Sequence, residues 1–130
     1  MEEVLQFLNQ AGVYFLATDE GGQPRVRPFG AAMIHEGRLY FCTNNQKGVY
    51  KQMQQNPQVE FCACIEDRWL RLAGRATVDS RREARAAMLL ACPGLKNMYT
   101  PDDGRFEVFY LEEPQATFSS MSGESRSVSL

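Results

Sequence analysis

Histidine and tryptophan are nearly missing from this chain: His35 and Trp69 are the only ones among 130 residues. His35 sits beside a turn, with no Ser, Cys or Asp partner at motif spacing. No G-x-S-x-G, H-E-x-x-H or H-x-E pattern is present, so hydrolase and deaminase templates find no footing. A basic excess is also lacking. Lys plus Arg number 14 against 16 Asp plus Glu, a net charge of -2, whereas an extended nucleic-acid footprint needs the opposite balance. No apolar run approaches the roughly 20 residues of a membrane span. The acidic start Met1-Glu2-Glu3-Val4 lacks the basic-then-apolar layout of a secretion signal, so a cytoplasmic protein is expected. Loops of the type G-x-x-x-x-G-K-[ST] and G-x-G-x-x-G are absent too, which disfavours nucleoside-triphosphate and Rossmann-type dinucleotide sites. The cysteines, Cys42, Cys62, Cys64 and Cys92, form no C-x-x-C pair. Cys62 and Cys64 are two apart and share a strand face. All four are expected to be reduced thiols acting as small core residues, without a disulfide or a structural metal.

What is present suits one globular domain over residues 1–130, with 44% hydrophobic and 23% charged residues. The spacing of Val4, Leu5 and Leu8 predicts a helix over 2–10. Strands are expected at 13–18, 25–34, 38–43, 58–65, 69–78, 106–111 and 116–121, where β-branched and aromatic residues run between turn signals. A helix is expected over 46–55, with Asn44 or Asn45 as its N-cap and Asn56-Pro57 closing it. Ser80-Arg81-Arg82-Glu83 has the form of a capping box opening a helix to about Ala91, which Cys92-Pro93-Gly94 stops. The polar tail 122–130 is expected to be partly mobile or to lie across a neighbour. Connections of hairpin length make the sheet chiefly antiparallel, and short antiparallel strands of this kind close into a small barrel. The fold class is therefore mainly β, a barrel of six to seven strands with a few helices.

Two stretches carry most of the chemistry. In Pro24-Arg25-Val26-Arg27-Pro28-Phe29-Gly30, the period of two puts Arg25, Arg27 and Phe29 on one face. Arginines there are either a solvated edge or part of an anion site. Pro28 and Gly30 fall on the other face, where neither carries a bulky side chain and proline removes a ladder donor. That suits a strand whose backbone is approached by a flat ligand. The second stretch runs from Leu39 through Cys42, Thr43 and Asn44 to Lys47 and Lys51. Lys47 falls in the expected first helical turn, where the helix dipole disfavours a cation unless an anion is bound. Lys47 and Lys51, four apart, are either a solvent-facing pair or a phosphate site. Trp69 shares its strand face with Arg71 and Arg75. It is either a surface residue, a subunit contact or a wall beside an aromatic ligand.

Taken in order, these stretches together with Trp69-Leu70-Arg71-Leu72-Ala73-Gly74-Arg75-Ala76 resemble the pyridoxamine 5'-phosphate oxidase-like, FMN-binding split-barrel superfamily, from the first helix to about Gly123. The resemblance implies a split-barrel homodimer with FMN at the subunit interface. It implies that Arg27, Pro28, Phe29 and Gly30 line the flavin, that Cys42, Thr43 and Asn44 follow the ribityl chain, and that Lys47 meets the phosphate, aided by Lys51. Trp69 corresponds to a position that approaches the flavin from the partner subunit. The basic C-terminal segment that holds pyridoxal phosphate in the true oxidase has no counterpart in Phe118-Ser119-Ser120-Met121-Ser122-Gly123-Glu124, and the family's serine-arginine-lysine stretch is reduced to Asn45-Gln46-Lys47. The expectation is an FMN-dependent oxidoreductase of unassigned substrate, with NAD(P)H as a conceivable reductant, rather than a pyridoxamine-phosphate oxidase. The alternatives are a non-catalytic flavoprotein or electron carrier, and a split barrel that takes haem or a deazaflavin. Small β-barrels also bind oligonucleotides, a reading that the acidic balance disfavours.

Overall fold

The computed structural model describes residues 1–130. Helix α1 (Glu2–Ala11) leads into strands β1 (Tyr14–Glu20), β2 (Gln23–Phe29), β3 (Ala32–His35) and β4 (Arg38–Asn44). Helix α2 (Gly48–Gln55) is followed by β5 (Gln58–Ile65) and β6 (Arg68–Asp79). Helix α3 (Arg82–Ala91) and a short 3-10 turn (Pro93–Asn97) precede β7 (Phe106–Ser120) and β8 (Ser125–Val128). All eight strands pair antiparallel, in the order β2-β1-β5-β6-β7-β4-β3, with β8 also on β7.

That order forces the shape. β2 and β3 lie at opposite ends of the sheet, yet only Gly30 and Ala31 separate them in the chain. So short a link spans about 10 Å at full stretch. The sheet must curl until its ends meet, which gives a barrel left open along the seam between β2 and β3. Alternating residues fill it: Tyr14, Leu16 and Thr18 of β1, Val59, Phe61 and Ala63 of β5, and Leu70 and Leu72 of β6 are buried. The Phe41 and Phe61 rings stack at 4.1 Å between centroids, and Phe29 and Phe109 meet them edge-on or tilted. Val4, Phe7 and Leu8 of α1 join this interior. A second apolar layer packs Ala84, Met88 and Leu89 of α3 on Met33, Tyr40, Phe106 and Val108.

The fold is mainly β, as the sequence predicts, but four local features differ. The strand expected over 25–34 is two strands, because the seam requires a break where β2 leaves its partner β1 and β3 joins β4. The strands expected at 106–111 and 116–121 are one: β7 runs through Pro114, with Glu113 in the left-handed region at φ 51° and a register shift against β6 between Ala73 and Arg75. The polar tail is no loose end, since Ser125–Val128 forms β8, with Ala116↔Val128 through Ser119↔Ser125 in register. The capping box does not form: Arg81, not Ser80, precedes α3, and Arg81 instead hydrogen-bonds Asp79, Glu36 and Glu83. No helix is long and apolar enough to cross a membrane.

Candidate functional site

A cavity of about 540 Å³ opens at the seam, within the size range of small-molecule sites. One wall is the end of β2 and the link to β3: Arg27, Pro28, Phe29, Gly30 and Ala31. The floor comes from Cys42 and Thr43 of β4, with Lys47 and Val49 at the start of α2. The third wall is the end of α3 and the following turn, where Cys92, Leu95, Met98 and Tyr99 face the opening. Cys92 Sγ lies 3.7 Å from the Ala32 carbonyl oxygen, which ties this wall to the seam.

The electrostatics are one-sided. Arg27 and Lys47 line the cavity, and no Asp or Glu does. Lys47 makes no salt bridge. The Arg27 guanidinium meets neutral oxygens: Nη1 donates to the Leu16 carbonyl at 3.1 Å and to Thr18 Oγ1 at 2.7 Å, and Nη2 donates to Gln52 Oε1. Burial first, and then the charge of Arg25, pull Arg27 below its ordinary value, yet a guanidinium remains protonated at any working pH. No side chain caps α2, so the amides of its first turn are free to receive an acceptor. Two cations and an uncapped helix start, with no acid among them, form a place for an anion.

The thiols are of the opposite character. Burial first, with Cys92 adding to it and Lys47 opposing, pushes Cys42 up to about 12. Burial likewise raises Cys92. Both are neutral and poorly nucleophilic near neutrality. The Tyr14 hydroxyl, which does not line the cavity, is buried without a hydrogen-bond partner.

Of the residues singled out from the sequence, Arg27, Pro28, Phe29, Gly30, Cys42, Thr43 and Lys47 meet at this cavity, while Asn44, Lys51 and Trp69 do not line it. Asn44 neither caps α2 nor faces the opening; its Oδ1 accepts the Gln46 amide at 2.8 Å in a local turn. Lys47 is itself the N-cap, in extended conformation at φ -84° and ψ 152°, because α2 starts at Gly48. It therefore does not stand on a common helix face with Lys51, which is exposed. Trp69 is paired with Cys64 and Ser119 on the outward face of the barrel. Phe29 points into the core as well as lining the cavity. The α3 wall escaped sequence reasoning, since Cys92-Pro93-Gly94 reads as a helix stop. The only hint was the apolar set Leu95, Met98 and Tyr99 at helical spacing. His35 lies outside the cavity against the Tyr40 ring. Its acidic neighbours Glu36 and Glu83 are both engaged by Arg81.

A sequence model of the pyridoxamine 5'-phosphate oxidase family matches residues 1–113. The chain belongs to that family. Among solved structures, a NimC/NimA family protein from Clostridium acetobutylicum is similar at 47% identity and a TM-score of 0.92, over 98% of this chain and 93% of that one. A pyridoxamine 5'-phosphate oxidase-related, FMN-binding protein from Nostoc punctiforme shares the fold at 20% identity and a TM-score of 0.72, covering 99% and 96%. A haem-binding protein from Mycobacterium smegmatis does so at 20% identity and a TM-score of 0.72, covering 94% of this chain and 57% of that one. No curated protein matches the chain. Structures of this fold thus include an FMN-binding protein and a haem-binding protein, so the ligand has to be argued from the cavity itself.

Proposed function

We propose that the chain is an FMN-dependent oxidoreductase that binds FMN in the seam cavity. The observation that carries this reading is the meeting of Arg27 and Lys47 in a cavity without an acidic side chain. The donor set fits the group. A phosphate needs cations and free amides, which Arg27, Lys47 and the start of α2 offer. A flat ring needs an apolar slot with little side-chain bulk at its edge, which Pro28, Gly30 and the α3 wall offer. Bound FMN would supply hydride or electron transfer at its ring, with no protein acid or base required for that step. The part of this chain's residues is to bind the phosphate, to orient the ring against the β2–β3 link and to exclude water behind Leu95, Met98 and Tyr99. Thiols held neutral by burial stay out of the chemistry.

A homodimer completes the proposal. Phe15 and Val26 are about half to two-thirds exposed on the outward face of β1 and β2, and Trp69 lies on that same face. Pro28 belongs both to this face and to the cavity lining. A second copy seated there would reach the mouth of the site.

The test is direct. The purified protein is expected to be yellow, or to take up FMN when it is offered. Lys47→Glu is expected to weaken FMN binding by at least tenfold, since it replaces a charge-assisted contact worth about 1.5–3 kcal/mol with a repulsive one. Circular dichroism should be unchanged, because Lys47 is exposed and unpaired. A variant that binds FMN as tightly as the parent would remove the phosphate from this position. Turnover of NAD(P)H with quinone or nitro-compound acceptors, above that of free FMN, separates an enzyme from a carrier. The haem reading is served less well by these residues, because the single histidine lies outside the cavity. A haem Soret band in place of flavin absorption would favour it.

A further inference from the structure

Behind Arg27 lies a buried polar chain that the sequence did not announce. Thr18 and Gln52 are 5% and 6% exposed. Thr18 Oγ1 accepts from Arg27 Nη1 at 2.7 Å and donates to Gln52 Oε1 at 2.6 Å. Gln52 Oε1 accepts from Arg27 Nη2 as well, and Gln52 Nε2 donates to Glu20 Oε2 at 3.2 Å. A guanidinium can only donate and a carboxylate can only accept. The amide of Gln52 therefore has one workable orientation, oxygen toward Arg27 and nitrogen toward Glu20. It stands between the cation and Glu20. Glu20 makes its salt bridge to Arg25 instead, at 3.0 Å.

We infer that Thr18 and Gln52 are positioning residues of the anion site: they fix the Arg27 guanidinium with neutral oxygens and keep Glu20 off it, so that its charge stays free for a phosphate. The inference rests on the FMN reading above. A direct ion pair to Glu20 would hold Arg27 equally well in place but would spend its charge inside the protein. The amide separates placement from neutralisation. Because Gln52 belongs to α2, the same contact also fixes the helix at whose start Lys47 sits. Position of one cation and charge of the other are thus set by one side chain.

The experiment compares FMN with riboflavin, which lacks the phosphate, by flavin fluorescence titration of the full chain. The parent is expected to prefer FMN. Gln52→Glu keeps the size and the acceptor but sets a carboxylate against Arg27. It is expected to lower FMN affinity about tenfold or more, the scale of one charged hydrogen bond, and to leave riboflavin affinity as it was. A purely structural role for Gln52 would move both ligands together. Combining Gln52→Glu with Glu20→Gln restores the donor-acceptor order with its ends exchanged. Thermal stability is then expected to return while the FMN preference does not. Should Gln52→Glu fail to fold, Thr18→Val decides, since it removes only the hydroxyl; FMN affinity is expected to fall about threefold or more, with riboflavin unaffected. An FMN-to-riboflavin ratio equal to the parent's in Gln52→Glu, or in Thr18→Val when the former does not fold, overturns the inference and leaves the FMN site standing. A parent that binds FMN no better than riboflavin overturns the FMN reading and this inference with it.

Discussion

At the scale of single residues, the interior is ordered by how polar atoms are satisfied. Thr18, Gln52 and Asp79 are buried, and each has its partners. Two buried atoms are exceptions, His35 Nε2 and the hydroxyl oxygen of Tyr14. The Tyr14 hydroxyl is enclosed without a partner, and burial first, with Cys42 and Cys92 adding to it, keeps the phenol far above its ordinary value. A buried hydroxyl that has lost water and found nothing in return costs about 1–3 kcal/mol. Phenylalanine retains the ring contacts to Phe41 and Phe61, at 6.3 and 5.8 Å between centroids, and drops the unmet atom. Tyr14→Phe is therefore expected to stabilise the protein, by roughly 1 kcal/mol, which for a chain of this size is a rise of about 3–6 °C in Tm. Differential scanning calorimetry measures it. A fall in Tm would mean that the hydroxyl has a partner that works on it, a buried water or a bound ligand, and would bring Tyr14 into the site.

At the scale of elements, the sequence was legible where local chemistry decides and silent where distant partners do. Helix α1 and the strands β4, β5 and β6 follow from periodicity and turn residues to within a residue or two. The break between β2 and β3 has no strong local signal, because Gly30 and Ala31 are compatible with a continuous strand; only the closure of the sheet makes them a seam. The start of α3 departs from its capping-box pattern for a related reason. Ser80 and Glu83 have capping spacing, but Asp79 draws Arg81 into the N-cap position by accepting its backbone amide at 3.1 Å and its Nε at 3.0 Å. Tyr40 Oη completes that node by donating to Asp79 at 2.7 Å, joining β4, β6 and α3. Arg81's hydrogen bonds first, against the opposing effect of burial, and the Tyr40 hydroxyl after them hold Asp79 well below the usual carboxylate range. A carboxylate whose folded value is depressed adds stability that is present in full above its unfolded value of about 3.9. That contribution drains away as the pH falls below it toward the folded value. Asp79→Asn is accordingly expected to be less stable than the parent to urea at pH 7. The gap between the two should narrow steadily from about pH 4 downward. A gap that stayed constant from pH 7 to pH 2 would show that Asp79 acts through shape and neutral hydrogen bonds alone.

At the scale of the whole molecule, the candidate site and the outward face of the barrel are one problem. The ladder through Pro28, Phe15, Cys62 and Arg71 and the neighbouring pair Cys64 and Trp69 form a surface on which Arg71 is paired with the adjacent Glu60. Val13, Phe15 and Val26 are 56%, 48% and 64% exposed on or beside it. Exposed apolar side chains gathered in one region mark an interaction site, whereas scattered ones carry no message. From the sequence alone Trp69 is a surface residue, a subunit contact or a ligand wall; its place on this face, away from its own chain's cavity, leaves it a wall only for a neighbour's ligand. The homodimer reading makes two linked demands, one on assembly and one on binding. The parent is expected to sediment as a dimer at micromolar concentration. Val26→Glu puts a charge in the middle of the apolar face and is expected to shift the sedimentation toward the monomer, because an unpaired interfacial carboxylate must be desolvated to stay there. Val26 is exposed in the isolated chain, so its replacement should leave the monomer's unfolding temperature unchanged within a degree or two. FMN affinity is expected to fall in the same variant although position 26 does not line the cavity, since Pro28 links the face to the cavity mouth and a ligand bound there would lose the second subunit. A monomeric parent would end the dimer reading, and a monomeric variant with undiminished FMN affinity would show that each chain holds its ligand alone.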